Sequence, residues 1–285
     1  AYAHLEPQPS SLRESEADVA RDLREHGGLV VRELDGGRPG RLLAAARFSE
    51  HDGGFWLRRV AVAPEVRRHG LAADLALAAE EVARARGYTE LRVGVRTPLR
   101  EVADYWRRLG FSDTAERAYW VELARPLEVR LDVPTAADMH ALGLRLATVL
   151  RAGDLVLLTG DLGAGKTTLT RGLGEGLGVR GQVTSPTFVI ARVHPSRGAG
   201  PPLVHVDAYR IGDLAEVDDL DLDASMDEAV TVVEWGEGKV EGLAESRLEL
   251  RLLRGHDDSD ETRTVVARGV GHRWLGLDLA ALLRA

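Results

Sequence analysis

A glycine-rich segment near the middle of the chain has the residue types and spacing that bind phosphate. Residues 160–167, GDLGAGKT, satisfy the pattern G-x-x-x-x-G-K-[ST] in full. Glycines let successive backbone N–H groups curl around phosphate oxygens, and the following helix adds the positive end of its dipole. Lys166 would neutralise the β- and γ-phosphates, and the Thr167 hydroxyl can complete a Mg²⁺ shell. The residues predicted to surround the nucleotide phosphates are Gly160, Asp161, Leu162, Gly163, Ala164, Gly165, Lys166, Thr167 and Thr168.

Two carboxylates downstream stand where a nucleotide-hydrolysing site needs them. Asp207 ends the apolar run LVHVD, and Glu234 ends AVTVVE. An open α/β sheet binds its ligand at the carboxyl ends of its parallel strands, so we expect both side chains beside the phosphates. A helix cap or an ion pair is the alternative role for either acid. Trp235 could shield or stack on a nucleotide or pack in the core, and His205 could line the site or pack.

Four motifs together resemble those of the TsaE/YjeE family of bacterial ATPases. They follow the family's order and spacing over about residues 127–275. Members of that family assist the synthesis of threonylcarbamoyladenosine beside the anticodon of tRNAs that read ANN codons. The resemblance implies a P-loop ATPase with ATP and Mg²⁺ as ligands. The motifs are GDLGAGKTTLTRGL (160–173), TSPTF (184–188), HVDAYR (205–210) and VVEWGEG (232–238).

The same resemblance implies roles for individual residues. Lys166, Asp207 and Glu234 are the implied catalytic residues: Lys166 binds phosphate and Asp207 assists hydrolysis. Thr167 and Glu234 are implied to hold Mg²⁺. Trp235, from its position after Glu234, is a further candidate for binding ATP.

Other residues are expected around the nucleotide. The segment Ser185-Pro186-Thr187 is implied to form a mobile switch over the γ-phosphate, and Thr135 to lie near the adenine. Arg210 is the candidate cation near the phosphates besides Lys166, with a salt bridge to the following acids as its alternative. Residues 213–228 contain eight acids and no base, which favours a solvated face over a metal site.

In the resembled family, the ATPase docks on a complex of the carbamoyl-transferring subunit and its paralogue, and hydrolysis resets that complex between turnovers. Up to Pro126 the chain has 20 Lys+Arg and 20 Asp+Glu, and from Leu127 it has 17 and 25, so the net charge of −8 belongs to the second half. That balance agrees with a protein partner and argues against autonomous nucleic-acid binding. A small P-loop kinase and a non-catalytic module regulated by nucleotide and acetyl-CoA stay open, although the segment after the switch is acidic and not an arginine-rich lid.

The first half carries a second anion-binding pattern. VRRHGLA (66–72) follows the strand-like FWLRRVAVA and opens a helix, where amides and the helix dipole suit a pyrophosphate. With the later ADYWRRLGF, it resembles the acetyl-CoA signature of the GNAT acyltransferases, over about residues 12–123. The resemblance implies pyrophosphate on the amides of 68–72 and pantetheine along 60–62. The implied acetyl-CoA residues are Val60, Val62, Arg67, Arg68, His69, Gly70, Leu71 and Ala72.

The first half departs from the GNAT pattern in two ways. The family's usual general-acid tyrosine corresponds to Trp106, and Tyr105 is expected to point elsewhere on its helix; an indole cannot supply a proton as a phenol can. The family's leading strand is expected to be missing, because only AYAHLEP precedes the first helical stretch. His51 and Glu50 are conceivable bases, with a solvated turn as their alternative role.

The elements that must position these residues divide between two predicted domains of a 285-residue chain. We predict a GNAT-like α+β domain over 1–125 and a P-loop α/β domain with a mainly parallel sheet over 127–285. The chain has no cysteine and no apolar run of about 20 residues, which excludes disulfides and a helical membrane span, and we expect a cytoplasmic protein. Predicted strands are 28–34, 41–49, 55–63, 90–96, 118–123, 154–159, 203–207 and 230–234, with a strand-like stretch at 187–193; predicted helices are 71–86, 100–109, 136–151 and 166–177.

Overall fold

The computed structural model describes Gln8 and residues 12–186, 190–210, 226–255 and 261–284, without the side chains of Asp35 and Arg210. The chain divides into two compact units, Ala1–Leu127 and Glu128–Ala285. The domain limits 1–125 and 127–285 stay predictions. Within the described residues, no helix combines the length and the apolar character needed to cross a membrane.

In its described residues, the N-terminal unit has a six-stranded mixed sheet and three α-helices, with the strand order β1-β2-β3-β4-β6-β5. Its first hairpin turns at Gly36 and Gly37, whose φ values of 57° and 81° suit glycine. The elements are α1 (Glu16–His26), β1 (Gly28–Asp35), β2 (Arg38–His51), β3 (Gly54–Val62), α2 (Leu71–Ala85), β4 (Glu90–Arg96), α3 (Arg100–Arg108), β5 (Ser112–Glu116) and β6 (Trp120–Pro126).

The two parallel strands at the centre of this sheet separate along their length. β3 pairs with β4 only where residues 55–57 lie beside residues 91–93. Beyond Leu57, β3 pairs only with β2, while β4 stays paired with β6 up to Arg96. Arg59 lies at the separation with φ 54°, a left-handed conformation that is costly for a non-glycine residue. The two strands therefore diverge and leave a gap between them towards their carboxyl ends.

The C-terminal unit is built on a seven-stranded mixed sheet in the order β7-β13-β12-β8-β11-β10-β9. The four strands β12, β8, β11 and β10 are parallel, as predicted for the centre of the sheet, and the flanking pairs are antiparallel. The elements are β7 (Val129–Val133), α4 (Ala136–Ala147), β8 (Leu155–Thr159), α5 (Lys166–Gly176), β9 (Ala191–His194), β10 (Leu203–Asp207), β11 (Val230–Glu234), β12 (Arg247–Arg254), β13 (Arg263–Val270) and α6 (Leu279–Arg284).

Both faces of the central strands are buried. Along β8, Val156 and Leu158 pack in a core with the helices α4 and α5, while Leu155 and Leu157 pack in a second core on the other face. This explains why the central strands are continuous apolar runs and not alternating ones. A polar side chain on one of these strands therefore lies either at the end of the strand or in a buried position, where its desolvation costs free energy.

Helices α4 and α5 approach each other closely enough to bring their backbones into contact. A Cβ atom on Gly172 would lie 2.0 Å from the carbonyl oxygen of His140, and one on Gly143 would lie 2.3 Å from the carbonyl oxygen of Leu169. Only glycine fits at either position. The pair of glycines fixes α5, and with it the loop that precedes α5, against the first turns of α4.

Candidate functional site

The loop 160–165 joins β8 to α5 in a conformation that depends on glycine. Gly160, Gly163 and Gly165 have φ values of 130°, 75° and 104°. A Cβ on Gly160 would also lie 2.2 Å from the carbonyl oxygen of Leu252 on β12. The loop is thus held in a strand–turn–helix context, which is the context the motif requires for phosphate binding.

Lys166, the first residue of α5, is a buried cation. Its side chain is only 5% exposed, and its ammonium donates hydrogen bonds to the carbonyl oxygens of Gly160 at 2.6 Å and Asp161 at 3.0 Å. Burial lowers the pKa of Lys166, against the opposing effect of nearby Glu234 and Asp207. The ammonium therefore lies at the opening of its own loop, where its hydrogen-bond acceptors are two backbone carbonyl oxygens. Phosphate oxygens would be stronger acceptors and could replace them.

Trp235 packs on this lysine. The Lys166 ammonium lies 3.8 Å from the centre of the indole ring, a cation–π contact, and the exposed Tyr209 meets the same ring edge-on at 5.3 Å. Trp235 itself has a left-handed φ of 62° and donates its backbone N–H to Leu158 on β8. The strained backbone at this position aims the indole at the phosphate-binding loop.

Three side chains from three elements meet beside the loop. The Thr167 hydroxyl on α5 donates to Glu234 Oε1 on β11 at 3.1 Å. The same oxygen lies 2.9 Å from Nε2 of His205 on β10. Glu234 is 3% exposed and His205 is fully buried, so the contact between them is shielded from bulk water, while Thr167 is half-buried.

Asp207 lies next to this cluster because of strand register. β10 and β11 pair in parallel with Asp207 opposite Glu234, so the two carboxylates project from the same face of the sheet. Asp207 accepts a backbone hydrogen bond from Tyr209 at 3.0 Å and a bond from the Ser185 hydroxyl at 3.4 Å. The structure brings Lys166, Thr167, Glu234 and Asp207 together at the carboxyl edge of the parallel strands.

These residues fit a nucleotide with Mg²⁺. The loop glycines leave room for phosphate, Lys166 offers a positive charge, and Thr167 with Glu234 offers the hydroxyl and carboxylate oxygens that Mg²⁺ prefers. Within the described part of the chain, no group of three or more His, Asp or Glu side chains forms a metal site.

The remaining predicted site residues are Thr135, the 185–187 segment, Arg210 and the acidic stretch. Thr135 begins α4 and exchanges hydrogen bonds with Asp138 in a capping box; one turn later, Met139 packs against Gly165. Thr187 lies outside the described residues, as do residues 213–225 of the acidic stretch and the side chain of Arg210. The roles of Thr135 near adenine and of the 185–187 switch stay predictions.

In the N-terminal unit, the predicted acetyl-CoA residues border the gap between β3 and β4. Val60 and Val62 are half-buried on the part of β3 that has left β4. Arg68 and Gly70, in the loop before α2, have φ values of 67° and 82°. In the described part of the chain, the amides of residues 68–72 donate to no backbone carbonyl. The first amide of this region that does so is that of Ala73, which donates to the Gly70 carbonyl oxygen.

The side chains of this loop are turned to solvent. Arg67, Arg68, His69 and Gly70 are exposed, and Leu71 and Ala72 are half-buried. His69 Nδ1 contacts the Arg67 carbonyl oxygen at 3.0 Å. The loop therefore presents backbone donors at a helix N-terminus with arginines beside them, which suits a pyrophosphate.

Aromatic and acidic residues predicted near the acyl chemistry have structural partners. Trp106 is 5% exposed and packs edge-on against Phe111. Burial raises the pKa of the neighbouring Tyr105. Glu50 accepts hydrogen bonds from Arg86 and Tyr88, and His51 stacks on Trp56. Both residues are exposed at the turn between β2 and β3, in line with their alternative role there, and their role as bases stays a prediction.

The contact that sequence reasoning did not predict is the pairing of His205 with Glu234. The signal was present in the alternation of β10, since His205 stands two residues before Asp207 and must share its face. The sequence does not show that this face meets Glu234, because that depends on which strand lies beside β10.

Two protein-family models match the chain. Residues 133–265 match the family described as threonylcarbamoyl adenosine biosynthesis protein TsaE, and residues 2–111 match the acetyltransferase (GNAT) family. The two matches fall on the two halves in which the sequence motifs lie.

Two named relatives support the match to the TsaE family. A protein of Streptomyces coelicolor named tRNA threonylcarbamoyladenosine biosynthesis protein TsaE is 68% identical over 146 residues, which are 50% of this chain and 99% of the relative. A protein of the same name from Mycobacterium tuberculosis is 49% identical and covers 45% of this chain and 80% of the relative. A crystal structure of Bacillus subtilis YdiB has 31% identity and a TM-score of 0.41, over 52% of this chain and 88% of that one. The chain therefore belongs to the TsaE family and carries a GNAT acetyltransferase domain ahead of its TsaE domain.

Proposed function

We propose that the C-terminal unit is a Mg²⁺-dependent ATPase that acts in the synthesis of threonylcarbamoyladenosine in tRNA. The observation that carries this proposal is the meeting of Lys166, Thr167, Glu234 and Asp207 at one edge of the parallel strands. The names of the Streptomyces and Mycobacterium relatives support the biosynthetic role.

Each residue of the site has a chemical task in this proposal. The loop amides and Lys166 bind the phosphates, and Asp207 orients the water that attacks the γ-phosphorus as the bond to the ADP oxygen breaks. Thr167 and Glu234 hold Mg²⁺, which supplies positive charge to the phosphate oxygens. Trp235 leaves Lys166 when phosphate arrives, because a phosphate anion binds the ammonium more strongly than an aromatic face does.

The partner in this proposal is the complex of the carbamoyl-transferring subunit with its paralogue, which ATP hydrolysis would reset between turnovers. The acidic surplus of the second half supports a protein partner over direct tRNA contact.

The test is phosphate release from MgATP by the full chain, with and without the purified partner pair. We expect the pair to raise the rate of the native chain and to have no effect on Glu234→Ala. Glu245→Ala removes an exposed carboxylate on the same unit and should respond as the native chain does. If phosphate appears on an added metabolite and not in water, the kinase alternative replaces this proposal. If MgATP binds without hydrolysis in any mixture, the chain is a non-catalytic module.

For the N-terminal unit we propose acyl-CoA binding, supported by the gap between β3 and β4 and by the amides of residues 68–72, which donate to no backbone carbonyl of the described residues. The pyrophosphate would sit on those amides and the pantetheine would run along Val60 and Val62. Transfer of the acetyl group to an amine is the reaction that this arrangement favours, with the proton acceptor and donor supplied by groups other than the buried Trp106.

Replacing Gly70 tests the loop. Aspartate and asparagine both tolerate the left-handed φ of 82° at this position, and a Cβ there has open space. We expect Gly70→Asp to weaken acetyl-CoA binding about 10-fold or more, because a carboxylate would face the pyrophosphate, and Gly70→Asn to change it about threefold at most. Isothermal titration calorimetry on the full chain measures both. Equal affinities for the two variants would contradict a pyrophosphate at this loop.

A further inference from the structure

His205 is a fully buried polar side chain on a central strand whose other inward residues are apolar or belong to the site. It is 0% exposed, and its Nε2 lies 2.9 Å from Glu234 Oε1. Burying an imidazole without a partner costs free energy, which the contact with a carboxylate offsets. We therefore attribute the histidine at position 205 to its hydrogen bond with Glu234 and not only to the volume that it fills in the core.

The hydrogen bond has a defined direction. A carboxylate that holds Mg²⁺ is ionised and only accepts hydrogen bonds, so the tautomer that fits the proposed site has the N–H at Nε2, which donates a hydrogen bond to Glu234. The Thr167 hydroxyl, on helix α5, donates a hydrogen bond to the same oxygen, Glu234 Oε1. Within the described residues, Glu234 Oε2 accepts no hydrogen bond. Two donors thus hold one oxygen of the carboxylate, and the other oxygen stays available.

The strand register makes this arrangement rigid. His205 lies opposite Val232 in the parallel pairing of β10 with β11, and Asp207 lies opposite Glu234. His205 therefore reaches Glu234 diagonally across adjacent strands on the face that meets α5. Rotation of the Glu234 side chain away from Thr167 would break both hydrogen bonds at once.

We propose that His205 is a positioning residue that holds the Glu234 carboxylate in the orientation in which it serves the Mg²⁺ of a bound nucleotide. The inference rests on the proposed nucleotide site and adds a residue to it. His205 itself contacts neither the nucleotide nor the metal in this proposal. It acts as a second-layer donor behind a metal-binding carboxylate, as such donors commonly do behind metal ligands.

The variants that test this proposal differ in one hydrogen-bond donor. His205→Leu keeps an apolar side chain of similar size without the donor. His205→Gln places an amide N–H at nearly the position of Nε2, and His205→Asn carries the same amide on a side chain too short to reach Glu234. If the leucine variant does not fold, the asparagine variant takes its place.

The measurement is the affinity of a fluorescent ATP analogue for the full chain in excess EDTA and in saturating Mg²⁺. The ratio of the two dissociation constants reports how much Mg²⁺ contributes to binding. We expect His205→Leu to reduce this ratio about 10-fold or more, with the EDTA value unchanged within about twofold, and His205→Gln to restore the ratio to within about threefold of native.

The possible results distinguish a failure of the inference about His205 from a failure of the proposed function. A leucine variant that weakens binding equally in EDTA and in Mg²⁺, with no rescue by glutamine, would give His205 a purely structural role and overturn the inference. An unchanged ratio in the leucine variant would overturn it as well. A native chain that gains no affinity from Mg²⁺ would overturn the proposed function, and this inference with it.

Discussion

Replacing Lys166 by alanine is expected to lower the affinity for MgATP about 30-fold to 5,000-fold and to abolish partner-stimulated hydrolysis. The change removes a buried charge, and losses of this kind typically cost about 2–5 kcal/mol. Its removal also takes away a positive charge that interacts with the carboxylates of Glu234, Asp207 and Asp161. Titration with a fluorescent ATP analogue and a phosphate-release assay measure the two effects.

The other lysine of the chain is a matched control. Lys239 donates one hydrogen bond to the Ala208 carbonyl oxygen at 2.9 Å, and Lys166 and Lys239 are the two lysines in the sequence. Lys239→Ala should lose about 1 kcal/mol of stability at most and bind MgATP nearly as the native chain does. Native-like binding and hydrolysis by Lys166→Ala would contradict the ATPase and the kinase alternative together.

A methyl group added at Gly172 is expected to destabilise the C-terminal unit by about 1–2 kcal/mol. The added Cβ would lie 2.0 Å from the His140 carbonyl oxygen, and a backbone atom cannot move aside as a flexible side chain can. The intrinsic helix preference of alanine offsets about 1 kcal/mol of the clash, so the net loss is smaller than the clash itself. Urea-dependent hydrogen exchange of α4 and α5, measured by mass spectrometry, isolates this unit from the other.

The same substitution at an open glycine provides the comparison. A Cβ on Gly242 would meet no atom within 4 Å. Gly242→Ala should therefore change the stability by about 0.5 kcal/mol or less. If α4 and α5 show the same hydrogen-exchange protection in the Gly172→Ala and Gly242→Ala variants, the backbones of the two helices are not in contact. The loop before α5 is then not held as described.

Several features of this protein could be predicted from the sequence because they depend on neighbours in the chain. The turn at Asp35-Gly36-Gly37, the P-loop and the helix that starts at Lys166 are local patterns, and the structure contains each of them. The positions of Asp207 and Glu234 at strand ends were also predictable, because an apolar run of about five residues that ends in a carboxylate is typical of a central parallel strand.

Other elements could not be found by local patterning. β7 pairs with β13, and their partner residues, such as Val133 and Arg263, are more than a hundred positions apart. β5 has the sequence SDTAE, which is too polar to predict a strand, and it forms one because β6 lies beside it. The predicted helix 136–151 ends at Ala147, and the predicted strand at 118–123 begins later, at Trp120.

The sequence by itself determined which residues of this protein can do chemistry: a lysine and a threonine after a glycine loop, two carboxylates at strand ends, and amides at a second helix start. Only the tertiary structure decided what these residues touch. The placement of β11 beside β10 brings His205 to Glu234, and the backbone turn at Trp235 brings its indole to Lys166. The physical reason is that motif chemistry lies within one turn of chain, whereas contacts between strands depend on sheet order and register, which the packing of the whole domain selects.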